Sequence, residues 1–532
     1  MRAWRGPHWT MLGAPALAAL WLYWPVLDTG YLGDDFGLLH AFDGCDGIAA
    51  TLRCVGETFA AGVGPPSNQY RPLTMASFAL NAKLSADPFG WHLVNVLLQM
   101  GNAALVALLA WLVLGDDTPR ARMAAVGAGW LFAWFAPAVE ATAWIAARFD
   151  GMALFWMLAA ACAFMASRRW HDGYGLASLG ATILSYMSKE SAAIGAPLVL
   201  ALAWYRHGLL RAVPRALPWL VLAGAYFAYR RWLFGDAFRF FPGSSPLDTL
   251  VSGAWIANLP QMAVWARITL TDPAALPVFV ASGAILLVCA AAAGVAESRK
   301  GRALVALAFA VLAAFALLLP HWRWPATGEG GRVLLAIAAI AAVACALPLA
   351  AARQPRALAW IAAIALLGSQ YVLASAAVER WVRAGEDSAT LARALGQLAQ
   401  AMPPEGYAFV VIPDHVGAIP FGRYAQIGYM LPPIQDRPLT QRLVVQTEEN
   451  LAPWPEQFAR DVIGRMKREP FDPRPSLSLE PKVAPPWVLP DRYLCWSPGR
   501  RQLEPLDLAL APDLGNWAAE WERALGAAGC RG

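Results

Sequence analysis

The sequence predicts an α-helical polytopic membrane protein that ends in a soluble α/β domain. Of its 532 residues, 58% are hydrophobic and 15% are charged, whereas soluble domains have about 25% charged residues. Continuous apolar segments recur along the chain, and about 20 residues suffice to cross about 30 Å of hydrocarbon as a helix. Because polarity does not alternate within these segments, we expect spanning helices and not the strands of a barrel.

About 11 of these segments are predicted to span the membrane. The first follows Arg2 and Arg5 and has no small-residue cleavage site before an acidic loop, so we expect a retained signal anchor and a cytoplasmic N-terminus. Turns rich in Lys and Arg recur on that same side, which is typical of cytoplasmic turns. The predicted spans are 11–27, 92–114, 123–139, 149–167, 174–187, 191–205, 216–235, 276–296, 303–320, 333–350 and 357–378.

The boundary between the two predicted domains follows the last span. Residues 1–378 are predicted to form a transmembrane domain, and residues 379–532, rich in Pro and charge, a periplasmic domain. Polarity patterns in this tail predict strands at 407–412 and 442–446 and helices at 386–401 and 455–468. The chain is therefore expected in the inner membrane of a bacterium, crossing it many times, with its tail in the periplasm.

Four cysteines fall in segments that this topology places outside the cytoplasm. Cys45 and Cys54 share the first outer loop, and Cys495 and Cys530 share the tail. An oxidising compartment allows two disulfides at these positions. Spacing alone does not define their geometry, so both pairings stay open at this point.

Charged residues outside the cytoplasmic turns gather on the predicted outer side. An adjacent acidic pair follows the first span, where a carboxylate can take a proton from a hydroxyl. Arg and Lys side chains nearby suit an anionic phosphate at the membrane interface. Since charges near lipid are costly unless they are paired or functional, these residues form the candidate site: Asp34, Asp35, Arg71, Glu140, Arg148, Asp150, Lys189, Glu190, Glu329 and Arg332.

Several other functions lack support in the sequence. The chain has no P-loop, no glycine-rich Rossmann turn and no Cys/His cluster with zinc spacing. The net charge of +5 reflects membrane orientation and does not predict binding to nucleic acid. We expect that no cofactor is required, while the use of a divalent metal stays open.

Four segments, in order along the chain, resemble the GT-C glycosyltransferases that use polyprenyl-phosphate or dolichyl-phosphate sugars. The similarity is to protein O-mannosyltransferase-like membrane proteins and covers about the first 350 residues. The segments are the acidic pair in 33–36, the stretch 70–81 with 88–95, the stretch 137–150, and 188–191 with a looser match at 329–334. The resemblance implies a GT-C-like fold.

The resemblance also implies a reaction and its participants. A sugar would move from a polyprenyl-phosphate donor to a hydroxyl of a periplasmic protein, envelope glycan or lipid, with inversion at the anomeric carbon. Asp34 would be the general base and Asp35 would assist it. The other implied roles are contact with the donor phosphate for Arg71, Lys189 and Arg332, and contact with the sugar or acceptor for Glu140 and Arg148.

Structural roles fit the same residues. Asp34 and Asp35 suit a solvated turn, Arg71 suits an interfacial anchor, Lys189 and Glu190 suit a solvated ion pair, and Arg148 and Asp150 suit a pair at a helix start. Two other classes of protein also stay open. One is an O-antigen ligase or polymerase, and the other is a non-catalytic transporter or lipid-sugar-binding protein.

Overall fold

A computed structural model describes most of the chain. It covers residues 9–62, 69–235, 237, 270–318, 330–351, 356–403, 406, 408–423, 426–440, 442–447, 492–506 and 517–530. The chain divides into two compact units. The first comprises Met1–Leu27, Val55–Ser77 and Trp91–Glu379, and the second comprises Asp28–Cys54, Phe78–Gly90 and Arg380–Gly532.

Helices dominate the described residues. In chain order they are α1 (Trp9–Tyr23), α2 (Asp35–His40), α3 (Gly47–Ala61), α4 (Pro72–Leu84), α5 (Pro88–Leu114), α6 (Pro119–Ala133), α7 (Glu140–Ala143), α8 (Arg148–Ala166), α9 (Gly173–Tyr186), α10 (Gly195–His207), α11 (Leu209–Phe234), α12 (Ala275–Ala296), α13 (Ser298–Leu318), α14 (Leu335–Leu349), α15 (Arg356–Ala401) and α16 (Trp517–Ala528). Each of the eleven predicted spans overlaps one of these helices.

Seven helices within the described ranges are long and apolar enough to cross a membrane. An eighth candidate joins α6 to the segment Ala136–Ala143 with a bend of 48°. The segments α9 and α10 form helices of only 14 and 13 residues, shorter than a full crossing needs. The helical membrane fold is confirmed, and the count of eleven spans stays a prediction.

The first unit has a core built mainly from alanine and leucine. Ala103, Ala110, Ala124 and Ala128 are fully buried in it. Small side chains let helix backbones approach closely where lipid supplies no hydrophobic force between helices. At Gly129 an added Cβ would lie 2.6 Å from Cγ of Pro15, so α1 and α6 pack there only because this position has no side chain.

The second unit contains a mixed sheet of four strands. Its strands are β1 (Ala408–Ile412), β4 (Leu443–Thr447), β5 (Arg492–Ser497) and β6 (Gln502–Pro505), in the order β4-β1-β5-β6, while β2 (His415–Val416) and β3 (Ile419–Pro420) form a separate hairpin. β1 is parallel to β4 and β5, and β6 is antiparallel to β5. The predicted α/β character of the tail is confirmed.

The strands and helices predicted in the tail have different outcomes. The two predicted strands coincide with β1 and β4, and the predicted helix at 386–401 forms the C-terminal third of α15. The helix predicted at 455–468 lies outside the described residues. Disulfides join Cys45 to Cys54 and Cys495 to Cys530, and the second of them ties β5 to the residues after α16.

Candidate active site

Six of the predicted residues form a charged cluster in the first unit, namely Arg71, Glu140, Asp150, Lys189, Glu190 and Arg332. Its first ion pair joins Arg71 to Glu190. The Arg71 Nε donates to Glu190 Oε2 at 2.9 Å, and Nη2 donates to Oε1. Thr74 Oγ1 also donates to the carbonyl of Ser188 at 3.2 Å. These bonds hold the start of α4 against the segment before α10.

Lys189 forms the second ion pair, with Asp150. Its Nζ lies 2.8 Å from Oδ1 and 2.7 Å from Oδ2 of that carboxylate. Lys189 has extended backbone, whereas Glu190 begins a 3-10 turn. The two neighbours therefore have different partners: Lys189 bonds the first turn of α8, and Glu190 bonds Arg71. They do not form the solvated pair that the sequence also allowed.

Arg332 forms the third ion pair, with Glu140. The Glu140 Oε2 also accepts from the backbone N–H of Gly330 at 2.9 Å. Gly330 has a φ of +112°, a conformation that glycine adopts without strain. The Arg332 Nε lies 3.7 Å from Asp150 Oδ2, and its guanidinium carbon lies 4.8 Å from the centre of the Trp144 ring. Through Asp150, the second and third ion pairs are joined.

Arg148 lies in the same unit but is fully buried. Its Nε donates to Asn95 Oδ1 at 3.0 Å, Nη1 to Ser77 Oγ at 3.2 Å and Nη2 to the carbonyl of Trp91 at 2.9 Å. Asn95 in turn donates to the carbonyl of Trp144 at 2.8 Å. Through these hydrogen bonds Arg148 connects α4, α5 and the loop before α8. The ion pair of Asp150 is with Lys189 and not with Arg148, as the sequence also allowed.

A cleft opens beside the charged cluster. Asp150 and Arg332 lie on its polar side, and Leu154, Met157 and Ile194 are among its apolar walls. The cleft therefore combines one charged edge with apolar walls. The cluster itself pairs three cations with three carboxylates, so its formal charge is zero.

Electrostatics within the cluster preserve its charges. Burial acts to raise the pKa of the Glu190 carboxyl, but the guanidinium of Arg71 and the ammonium of Lys189 outweigh it and hold this pKa below its ordinary value. Burial lowers the pKa of Lys189, and Asp150 opposes that shift. Removing one member of a buried pair leaves the other charge uncompensated. Each member is therefore needed by its partner.

The acidic pair lies in the second unit, in the turn before α2. Asp35 is 1% exposed, and its Oδ2 accepts from the backbone N–H of Leu32 at 3.0 Å. Asp34 is partly exposed and stands just before the first residue of α2. The N–H of Gly33 donates to the carbonyl of Phe421 at 3.0 Å. Of the two carboxylates, Asp34 is the more accessible and Asp35 stabilises the turn.

Two of the predictions, the role of Glu329 and the use of a metal or cofactor, are not tested by the described residues. Glu329 lies outside the described residues. Among the residues that the structure describes, no three His, Cys, Asp or Glu side chains gather in a way that could hold a metal ion. Metal use and the predicted lack of a required cofactor stay predictions.

Sequence reasoning missed two residues that position a candidate. Ser77 and Asn95 hold the buried Arg148. Asn95 lies in the second predicted span and is not among the candidate residues. A polar side chain within an apolar segment was the available signal, but its partner could not be identified because Arg148 lies 53 positions away.

Neither a protein-family model nor a curated protein sequence matches the chain. Two crystal structures align with it. ArnT from Cupriavidus metallidurans bound to undecaprenyl phosphate is 13% identical, with 84% of this chain and 91% of that chain covered and a TM-score of 0.39. The apo state of the same protein is 14% identical, with 84% and 94% covered and a TM-score of 0.40.

Proposed function

We propose that this protein is a membrane glycosyltransferase that moves a sugar from a polyprenyl-phosphate donor to an acceptor hydroxyl on the periplasmic side of a bacterial inner membrane. The observation that carries the proposal is the charged cluster beside the apolar cleft. Lys189 and Arg332 both approach Asp150 there. Cations beside apolar walls suit a ligand with a phosphate head and an isoprenoid tail.

The proposed reaction uses the acidic turn as its base. Asp34 takes the proton of the acceptor hydroxyl, and the hydroxyl oxygen attacks the anomeric carbon of the donor sugar. The bond between that carbon and the phosphate oxygen breaks, and the polyprenyl phosphate leaves with the bonding electrons. Lys189, Arg332 and Arg71 stabilise the charge that develops on the leaving phosphate. The sugar is transferred with inversion.

A transfer assay on the purified full-length protein in nanodiscs tests this function. Labelled polyprenyl-phosphate sugars are offered with protein, glycan and lipid acceptors. We expect Asp34→Asn to lower kcat by about 10²- to 10⁴-fold, the usual contribution of a general base, with donor binding unchanged. The control is Asp43→Asn, an exposed carboxylate of the same unit that pairs with His40. Full activity in Asp34→Asn would refute the proposed base.

A second variant in the same assay tests the proposed contact between Lys189 and the donor phosphate. Lys189→Met is expected to weaken donor binding by about 10- to 100-fold, because a hydrogen bond to a charged group contributes about 1.5–3 kcal/mol. The control is Lys300→Met, which removes a lysine paired with Glu297 in a predicted cytoplasmic turn. Equal donor affinity in both variants would contradict a phosphate site at Lys189.

A further inference from the structure

The turn that carries Asp34 is held by residues from the C-terminal part of the chain. Ser388 Oγ, on α15, donates to the carbonyl of Tyr31 at 2.6 Å and lies 2.9 Å from the Tyr429 hydroxyl. Tyr429 OH lies 3.3 Å from the carbonyl of Phe421, which accepts the N–H of Gly33. These bonds close a ring that fixes the backbone on both sides of Leu32.

The direction of the hydrogen bonds follows from the number of protons. Ser388 has one hydroxyl proton and donates it to Tyr31, so its oxygen accepts from Tyr429, whose single proton is shared between Ser388 Oγ at 2.9 Å and the carbonyl of Phe421 at 3.3 Å. Ser388 is 2% exposed and Tyr429 is fully buried. Burial raises the pKa of the Tyr429 hydroxyl, and the nearby charge of Asp35 adds to this rise. Tyr429 therefore keeps its proton and remains a donor.

Close packing supports the same turn from two sides. A Cβ added at Gly385 would lie 2.2 Å from Cγ2 of Thr29, and one added at Gly428 would lie 2.3 Å from Cβ of Phe36. The Phe36 ring centre is 4.3 Å from that of Tyr429. Both glycines thus make room for the turn, which leaves its backbone little freedom to shift.

The turn also lies at the carboxyl edge of the parallel strands. After β1 ends, the carbonyl of Asp414 accepts from Phe421 N–H at 2.7 Å, so Phe421 connects this edge to Gly33. Arg501, beyond the end of β5, pairs with Glu386 at 3.1 Å, two residues before Ser388. Open α/β sheets place their ligands at this edge, so the turn occupies the part of the domain where a site is expected.

We propose that Ser388 and Tyr429, which belong to the same unit as Asp34, are positioning residues for that carboxylate. This inference rests on the proposed function. The two hydroxyls do not touch the reacting atoms. They hold the backbone from which the base projects, and a misplacement of about 1 Å in such a group can cost about 10²-fold in rate.

The test compares Tyr429→Phe, Ser388→Ala and the double variant with wild type in the full-length protein in nanodiscs. Phenylalanine keeps the ring against Phe36 and removes only the hydroxyl. We expect each single variant to lower kcat by about 10- to 100-fold, with donor Kd and acceptor KM unchanged. The double variant should be no slower than the slower single variant, because both residues belong to one network. Ser388→Thr should restore kcat.

The control is Ser369→Ala. Ser369 lies on the same helix, is 5% exposed and donates only to the local carbonyl of Leu366 among the bonds described for it. A kcat equal to wild type in both single variants would overturn the inference, as would a lower melting temperature with kcat unchanged. Should Tyr429→Phe not fold, Ser388→Ala and Ser388→Thr carry the test.

Asp34→Asn, measured alongside, separates the two claims. If it is inactive while Tyr429→Phe and Ser388→Ala are fully active, the positioning role is wrong and the proposed function stands. If Asp34→Asn is fully active, the proposed base is wrong, and the inference that Ser388 and Tyr429 position it is wrong as well.

Discussion

The two regions that carry the candidate residues are stabilised in different ways. In the charged cluster of the first unit, each side chain is held by another charged side chain, as in the pair of Arg71 and Glu190. In the acidic turn of the second unit, the holding bonds are made to the backbone of Tyr31 and Gly33. Changing the side chain of Asp34 leaves those bonds in place. Substitutions in the cluster should therefore affect stability and binding together, whereas the backbone bonds that hold the turn do not depend on the side chain of Asp34.

The largest expected effect tests the mutual dependence within the cluster. Arg71→Met leaves Glu190 buried without its cation, and breaking a buried pair in this way costs about 3–5 kcal/mol. Arg71→Met combined with Glu190→Met should recover most of that stability, since no charge is then left alone. Thermal unfolding in detergent micelles measures both variants. A double variant as unstable as the single one would contradict the pairwise account.

A smaller effect tests how tightly the acidic turn is packed. Gly385→Ala should destabilise the second unit by about 1–3 kcal/mol, the usual cost of overpacking, because the new methyl group would overlap Thr29. Gly368→Ala is the matched control on the same helix, since nothing lies within 4 Å of a Cβ added there. That control should gain about 0.5–1 kcal/mol from helix propensity. Equal melting temperatures in the two variants would show that the turn accommodates the added methyl group without destabilisation.

The smallest effect concerns pH. Because the pKa of Glu190 is lowered in the folded protein, its stabilising contribution is complete above the ordinary glutamate value of about 4.3 and is lost only as the pH falls through the lowered one. The difference in melting temperature between wild type and Glu190→Gln should therefore be the same at pH 7 and pH 5. A difference that shrinks over this range would mean that Arg71 does not hold the carboxylate in its charged form.

Hydropathy predicted where the helices lie, because each span must hide its backbone from lipid, and polarity alternation predicted β1 and β4. The partners of the charged residues could not be predicted in this way. Lys189 and Glu190 are adjacent, yet their partners lie 39 and 119 positions away, and only the folded arrangement of helices decides which charge meets which. The membership of residues 28–54 and 78–90 in the second unit was also missed. In a hydropathy profile these segments are ordinary loops, and Tyr31, in the first of them, has a partner 357 positions later.

That separation has a consequence for biosynthesis. Tyr31 and Ser388 are 357 positions apart, so the turn leaves the ribosome long before the residues that hold it exist. At about 5–20 residues per second, the wait is roughly 20 to 70 seconds. During that time the first hydrophobic segments can already insert into the membrane, while the turn has none of its distant partners. The carboxylate proposed to start the reaction is thus synthesised well before the side chains that fix the backbone of its turn.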